Sequence, residues 1–129
     1  MGVLGIGGLF FRARDPEALT TWYREHLNVG PRCSADEDLG AAADEWSWRA
    51  RGGPVVFTPF PAASDYFPAD KAYMLNLRVS DLAALIERLK SAGIKVETRD
   101  EWNDPNVGRF ARIHDPEGNP IELWEPPNA

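Results

Sequence analysis

The strongest constraint on this 129-residue chain is an echo of itself. Gly52-Gly53-Pro54-Val55-Val56-Phe57 returns as Gly118-Asn119-Pro120-Ile121-Glu122-Leu123, and the same displacement lays Leu9, Arg12, Asp15, Ala18 and Leu19 on Leu75, Arg78, Asp81, Ala84 and Leu85. Two separated blocks that share one offset, close to half the chain, point to an internal duplication. Each half alone is too short to bury a comfortable core. The expectation is therefore a single domain of two modules, residues 4–60 and 72–126, joined by a linker at 61–71 and sharing a sheet.

Each half reads as a strand, a helix and then further strands. In residues 4–13, Leu9, Phe11 and Ala13 fall on one face and Gly8, Phe10 and Arg12 on the other, although Gly5, Gly7 and Gly8 weaken the strand. Asp15-Pro16-Glu17 opens a helix with a capping acceptor, a proline at the first position and an acid at the positive end of the dipole. Leu19, Trp22, Tyr23 and Leu27 recur at helical spacing, and Gly30-Pro31 is expected to stop the helix. Residues 32–45 are small and polar, with the acidic cluster Asp36-Glu37-Asp38, and fit either a short strand or a loop. Residues 46–50 and 54–59 read as strands around the Gly52-Gly53 turn. The linker carries Tyr66 and Phe67, odd in a solvated connector, and these are expected to cover something apolar.

The second half is more regular. Residues 72–79 alternate, with Leu75, Leu77 and Val79 on one face and Met74, Asn76 and Arg78 on the other. Asp81 caps a helix bearing Leu82, Leu85, Ile86 and Leu89, and Gly93 ends it. A strand at 94–99, a loop at 100–108 containing Trp102 and a strand at 108–114 lead into the turn Asp115-Pro116-Glu117-Gly118. In the last strand Ile121 and Leu123 share one face while Glu122 and Trp124 share the other.

If the apolar set faces the helices, the opposite side collects Phe10, Arg12, Val56, Thr58, Met74, Asn76, Arg78, Phe110, Arg112, Glu122 and Trp124. Aromatic and apolar groups with a few polar ones are the usual lining of a small-molecule pocket, and a second core or a dimer face would use the same residue types. A carboxylate there needs a partner, for which Arg12, Arg78 and Arg112 are the candidates. The net charge of −6 and pI near 4.9 disfavour nucleic acid and anionic membranes and mildly favour cationic or neutral ligands. No stretch is long and apolar enough to span a membrane. The first residues lack the basic region of a secretory signal, and the one cysteine, Cys33, excludes an internal disulfide and a cysteine zinc site, so the cytoplasm is the expected compartment.

Two strand-helix-strand-strand-strand halves, the second closed by Asp115-Pro116-Glu117-Gly118-Asn119-Pro120-Ile121-Glu122-Leu123, resemble the vicinal oxygen chelate superfamily, which holds glyoxalase I, extradiol dioxygenases and bleomycin-resistance proteins. The resemblance implies an α+β fold of tandem βαβββ modules, a curved mixed sheet around a cleft, and a homodimer. In metal-dependent members the ligands sit on the first and last strands of each module, places that carry over to Gly8, Val56, Met74 and Glu122. Only Glu122 offers a hard oxygen, and a thioether suits soft ions, so neither a metal nor another cofactor is expected. His26 is expected at a helix end and His114 bonded to the Asp-Pro turn. Two functions follow from the resemblance. One is a metal-free protein that binds a small aromatic or cationic organic compound. The other is a lyase or isomerase using Glu122 as acid or base on a small carbonyl compound, with Asn76 or an arginine stabilising the enolate.

Overall fold

A computed structural model describes residues 2–36 and 45–127. The acidic cluster beyond Asp36 and the alanine run at 41–43 lie outside the described residues. The regular elements are helix α1 (Pro16–Leu27), strand β1 (Leu75–Arg78), helix α2 (Leu82–Ser91), a 3-10 turn at Asp100–Trp102, and strands β2 (Asn103–Asp104), β3 (Gly108–His114) and β4 (Pro120–Glu125). The strands form one mixed sheet in the order β1-β4-β3-β2, parallel between β1 and β4 and antiparallel elsewhere. The protein is thus α+β, as its sequence predicts.

Period-two patterning decides which side of the sheet is dry. Leu77, Ala111, Ile113, Ile121 and Leu123 point to the helices and pack with Leu19 and Tyr23 of α1 and Leu82 and Leu89 of α2. Leu82, Leu89, Ile113, Ile121 and Leu123 are the largest fully buried side chains, each contributing about 1.5–3 kcal/mol by leaving water.

The helix ends follow local chemistry. The side chains of Asp15 and Asp81 accept hydrogen bonds from the N–H groups of Ala18 and Ala84, and Pro16 occupies the first turn of α1. After α2, Gly93 adopts a left-handed φ of 82°, its N–H reaches Lys90 O, and Ile94 N–H reaches Leu89 O, the pattern of a Schellman cap. Helix α1 ends earlier than Gly30-Pro31 suggests. Asn28 takes the left-handed conformation at φ 56°, a role its short polar side chain tolerates.

The Asp-Pro-Glu-Gly turn is wired through Asp115, which is buried although charged. Its Oδ1 accepts from the backbone N–H groups of Glu117 and Asn119, and its Oδ2 accepts from Asn119 Nδ2 and from the Tyr23 hydroxyl at 2.7 Å. Glu117 reaches back to the start of α1, accepting from the N–H groups of Arg14 and Asp15. The turn therefore clamps the first-half helix to the second-half sheet. His114, expected to bond this turn, is exposed, and no side-chain hydrogen bond joins it to the turn among the described residues.

The expected strands of the first half do not join the sheet. Residues 4–13 and 54–59 carry no ladder, and Phe10 and Phe57 are 95% and 87% exposed. Residues 46–50 contribute one bridge, Ser34 to Arg49; in the second half, residues 94–99 meet β3 through one bridge, Glu97 to Arg112. The physical reason lies in partners. An extended segment becomes a strand only when another backbone takes its N–H and C=O groups, and within the described chain no neighbour does so for 4–13 or 54–59. The four-stranded sheet is accordingly uncurled rather than wrapped around a cleft.

Candidate functional site

On the face of the sheet turned away from the helices, adjacent strands bring two charged residues together. Arg112 of β3 and Glu122 of β4 are Cα partners, and both are buried, at 5% and 8% exposure. Glu122 is held by neutral donors. Asn76 Nδ2, from its partner position on β1, donates to Oε1 at 2.8 Å, and the Tyr66 hydroxyl donates to Oε2 at 2.5 Å. Both carboxylate oxygens are therefore engaged.

The cover over this pair comes from outside the sheet. The Arg112 guanidinium lies 4.9 Å from the centroid of Tyr66 and 5.6 Å from that of Trp102, both within the range of cation–π attraction. Tyr66 also packs against Trp102 and Phe60, and Phe60 against Phe67. Burial raises the pKa of Tyr66, and its hydrogen bond to Glu122 and the charge of Glu122 raise it further, to about 12. The phenol consequently stays a donor across the physiological range. Of the two linker aromatics, Tyr66 covers the polar residues Glu122 and Arg112, whereas Phe67 packs against the apolar ring of Phe60.

Beside this group, Phe110 and Trp124 stack nearly parallel, 6.1 Å apart at 4°. Trp124 Nε1 donates to Val107 O, which folds the indole over the start of β3. Gly108 makes that approach possible. At φ 124° a Cβ there would stand 2.3 Å from Glu125 O and 2.8 Å from Trp124 Nε1.

The remaining sequence candidates are placed differently. Arg78 donates to the carbonyls of Arg51, Gly52 and Pro54, so it ties the first-half turn to β1 instead of pairing with Glu122. Met74 is half-buried just before β1. Phe10, Arg12, Val56 and Thr58 are exposed, and in a single chain they are not gathered around Glu122. Arg12 instead lines a shallow hollow with Lys71, Glu117 and Asn119, and a neighbouring hollow is lined by Arg14, Leu19, Trp22 and Glu117. Glu122 lines neither. Sequence reasoning did not assign Tyr66 or Trp102 to the site; the signal available was an aromatic in each of two polar connectors.

The divalent metal of the wider superfamily needs several hard donors around one point. Of the four corresponding places, Gly8 and Val56 have no side-chain donor, Met74 offers only a thioether, and Glu122 alone supplies a hard ligand, its oxygens already accepting from Tyr66 and Asn76. Among the described residues no group of three or more histidine, cysteine, aspartate or glutamate side chains stands together. This donor set does not fit such an ion.

A mixed four-stranded sheet with two helices on one face, and polar side chains beside aromatic rings on the other, is the frame of a small α+β protein. The family model of the glyoxalase-like domain matches residues 8–124, and the chain belongs to that family. Among solved structures it is similar to TnmS3, an antibiotic binding protein from Streptomyces sp. CB03234, at 21% identity, with 98% of each chain covered and a TM-score of 0.60. It also aligns with a glyoxalase/bleomycin resistance protein from the same source at 33% identity, over 47% of this chain and 54% of that one, with a TM-score of 0.35. No curated protein matches the chain. Among the described residues, no helix is long and apolar enough to cross a membrane.

Proposed function

We propose that this protein binds a small planar organic compound against the outer face of its sheet, without a metal, as a cytoplasmic homodimer of two-module chains. The observation that carries this reading is the engagement of Glu122 by Tyr66 and Asn76 beside a buried Arg112 whose guanidinium lies over the rings of Tyr66 and Trp102. Neutral donors on both carboxylate oxygens suit a fixed orienting group better than an ion ligand. Aromatic side chains around a few polar groups suit a flat guest. A protein of the same fold is described as antibiotic binding, which supports a small-molecule guest. The acid-base reading of Glu122 receives less support, because two neutral donors on a buried carboxylate hold it in one orientation and no second carboxylate or histidine stands among the residues that bond it.

The homodimer rests on the exposed first-half segments. In the second half β1 pairs in parallel with β4, with Leu75 opposite Ile121 and Asn76 opposite Glu122. Transferred through the internal repeat, that register sets Leu9 opposite Val55 and Phe10 opposite Val56, a pairing absent within the described chain. A second copy supplying these backbones and covering Val3, Leu4, Phe10 and Phe57 accounts for apolar side chains that otherwise meet water. The buried, free Cys33 is compatible with a reducing compartment.

The test is a titration of intrinsic tryptophan fluorescence with a panel of planar and cationic aromatic compounds, bleomycin-like ones included. Saturable quenching by at least one class is expected. A flat response across the panel would remove the binding reading.

A further inference from the structure

Arg112 is a buried cation whose needs the chain does not meet. Among the described residues its Nε and Nη2 are buried and without a hydrogen-bond partner. The ion pairs of the described residues join Arg14 to Glu117, Arg32 to Glu45 and Arg99 to Glu97, and Arg112 belongs to none of them. Its strand partner Glu122 bonds to neither nitrogen: the Glu122 oxygens accept from Tyr66 and Asn76, and no ion pair joins Glu122 to Arg112 among the described residues. A buried charge left in this state is costly, and an unsatisfied polar group in a native site calls for a missing acceptor.

The identity of the two nitrogens says which acceptor fits. Nε and Nη2 lie along one edge of the planar guanidinium, where two parallel N–H groups match the two oxygens of a carboxylate. The rings of Tyr66 and Trp102, centred 4.9 Å and 5.6 Å from the guanidinium carbon, place flat aromatic surface next to the guanidinium. We propose that the Arg112 edge anchors the carboxylate of a planar aromatic acid, whose ring lies against Tyr66 and Trp102. This rests on the small-molecule reading above and narrows its ligand. It also reverses the preference for cations drawn from the net charge of −6, because at contact distance a bidentate donor outweighs a diffuse, salt-screened field.

Both nitrogens are shielded from solvent, so binding requires the side chains at Arg112, the rings of Tyr66 and Trp102 among them, to shift enough to admit the carboxylate. Tyr66 lies outside helices and strands and is fastened to the sheet through its bond to Glu122.

The experiment is calorimetric titration of the full chain with three probes that share one ring: 2-naphthoate, 2-naphthamide and 2-naphthylmethylamine. Naphthoate is expected to bind at least tenfold more tightly than the other two. Arg112→Lys, which keeps the charge and loses the fork, is expected to abolish most of that preference. The ratio in the unaltered protein decides the matter even if the variant folds poorly. Equal binding of acid and amide, or a preference for the amine, overturns the carboxylate anchor and leaves small-molecule binding intact. Binding of none of the three overturns the anchor, and small-molecule binding falls with it only if the broader fluorescence panel is also silent.

Discussion

The hydroxyl of Tyr66 donates to Glu122 Oε2 at 2.5 Å, fastening the connector between the two halves to the centre of the sheet. Through this bond one side chain orients the buried carboxylate and helps to roof Arg112. Removing the hydroxyl in Tyr66→Phe leaves a buried oxygen short of a donor. A loss of about 1–3 kcal/mol in urea unfolding is expected, together with easier access to the sheet face.

Burial, reinforced by this bond, gives Tyr66 a pH signature. The folded-state pKa of Tyr66 is raised from the unfolded value of 10.0 to about 12, so its contribution to stability is complete below pH 10 and is lost as pH rises toward 12. Unfolding free energy measured across this window is expected to fall, and to fall less steeply in Tyr66→Phe.

Tyr23 and Asp115 hold the first helix to the final turn. Burial and the Asp115 carboxylate both push the Tyr23 phenol up, so it remains a donor wherever the protein is folded. Tyr23→Phe is expected to cost about 1–3 kcal/mol by denaturant titration. Asp115→Ala is expected to cost more, because it strips acceptors from Tyr23, the Asn119 side chain and two backbone N–H groups at once.

Glu117 gives the acidic counterpart. Backbone N–H groups of Asp15 and Arg14 hold its carboxyl below the usual value of 4.5, so its contribution is present above that pH and is lost as pH falls through the lowered folded value. A carboxyl NMR titration is expected to place its midpoint below 4.5, and an unshifted midpoint would contradict the clamp.

Gly108 is constrained by both conformation and space. Gly108→Ala forces a left-handed φ on alanine and drives its Cβ into Glu125 O, so a loss of about 3 kcal/mol is expected by thermal or chemical unfolding.

The apolar segments of the first half make a further expectation concrete. Light scattering is expected to give a mass near twice 14.4 kDa, with Phe10→Asp or Phe57→Asp shifting the protein toward the monomer. A monomer at all concentrations would show that these segments are not covered by a second copy.

Much of this architecture was legible in the residues. Alternation in β3 and β4 put Ile113, Ile121 and Leu123 on the helix side and Arg112, Glu122 and Trp124 on the other, because side-chain direction in a strand depends only on parity. Asp15 and Asp81 marked the helix starts because capping is local. The partners of Glu122 were only partly legible. Asn76 shares a sheet face with it, so periodicity could find that residue. Tyr66 lies 56 positions away in an irregular connector, where no spacing rule operates. Arg78, by contrast, had the right charge and the right face, but unpaired carbonyls at Arg51, Gly52 and Pro54 claimed its donors. Residues 4–13 had the composition of a strand, yet pairing requires a second backbone that patterning cannot supply.

The central claim, that a flat organic guest is held at Glu122 and Arg112 with no ion involved, is tested most directly by calorimetry on chelator-treated protein, titrated with the tightest compound from the fluorescence panel. The predicted result is saturable binding unchanged by adding back nickel, zinc or iron and weakened at least tenfold in an Arg112→Lys, Glu122→Gln double variant. Binding that appears only when a divalent ion is restored, or that survives unaltered in the double variant, would contradict it.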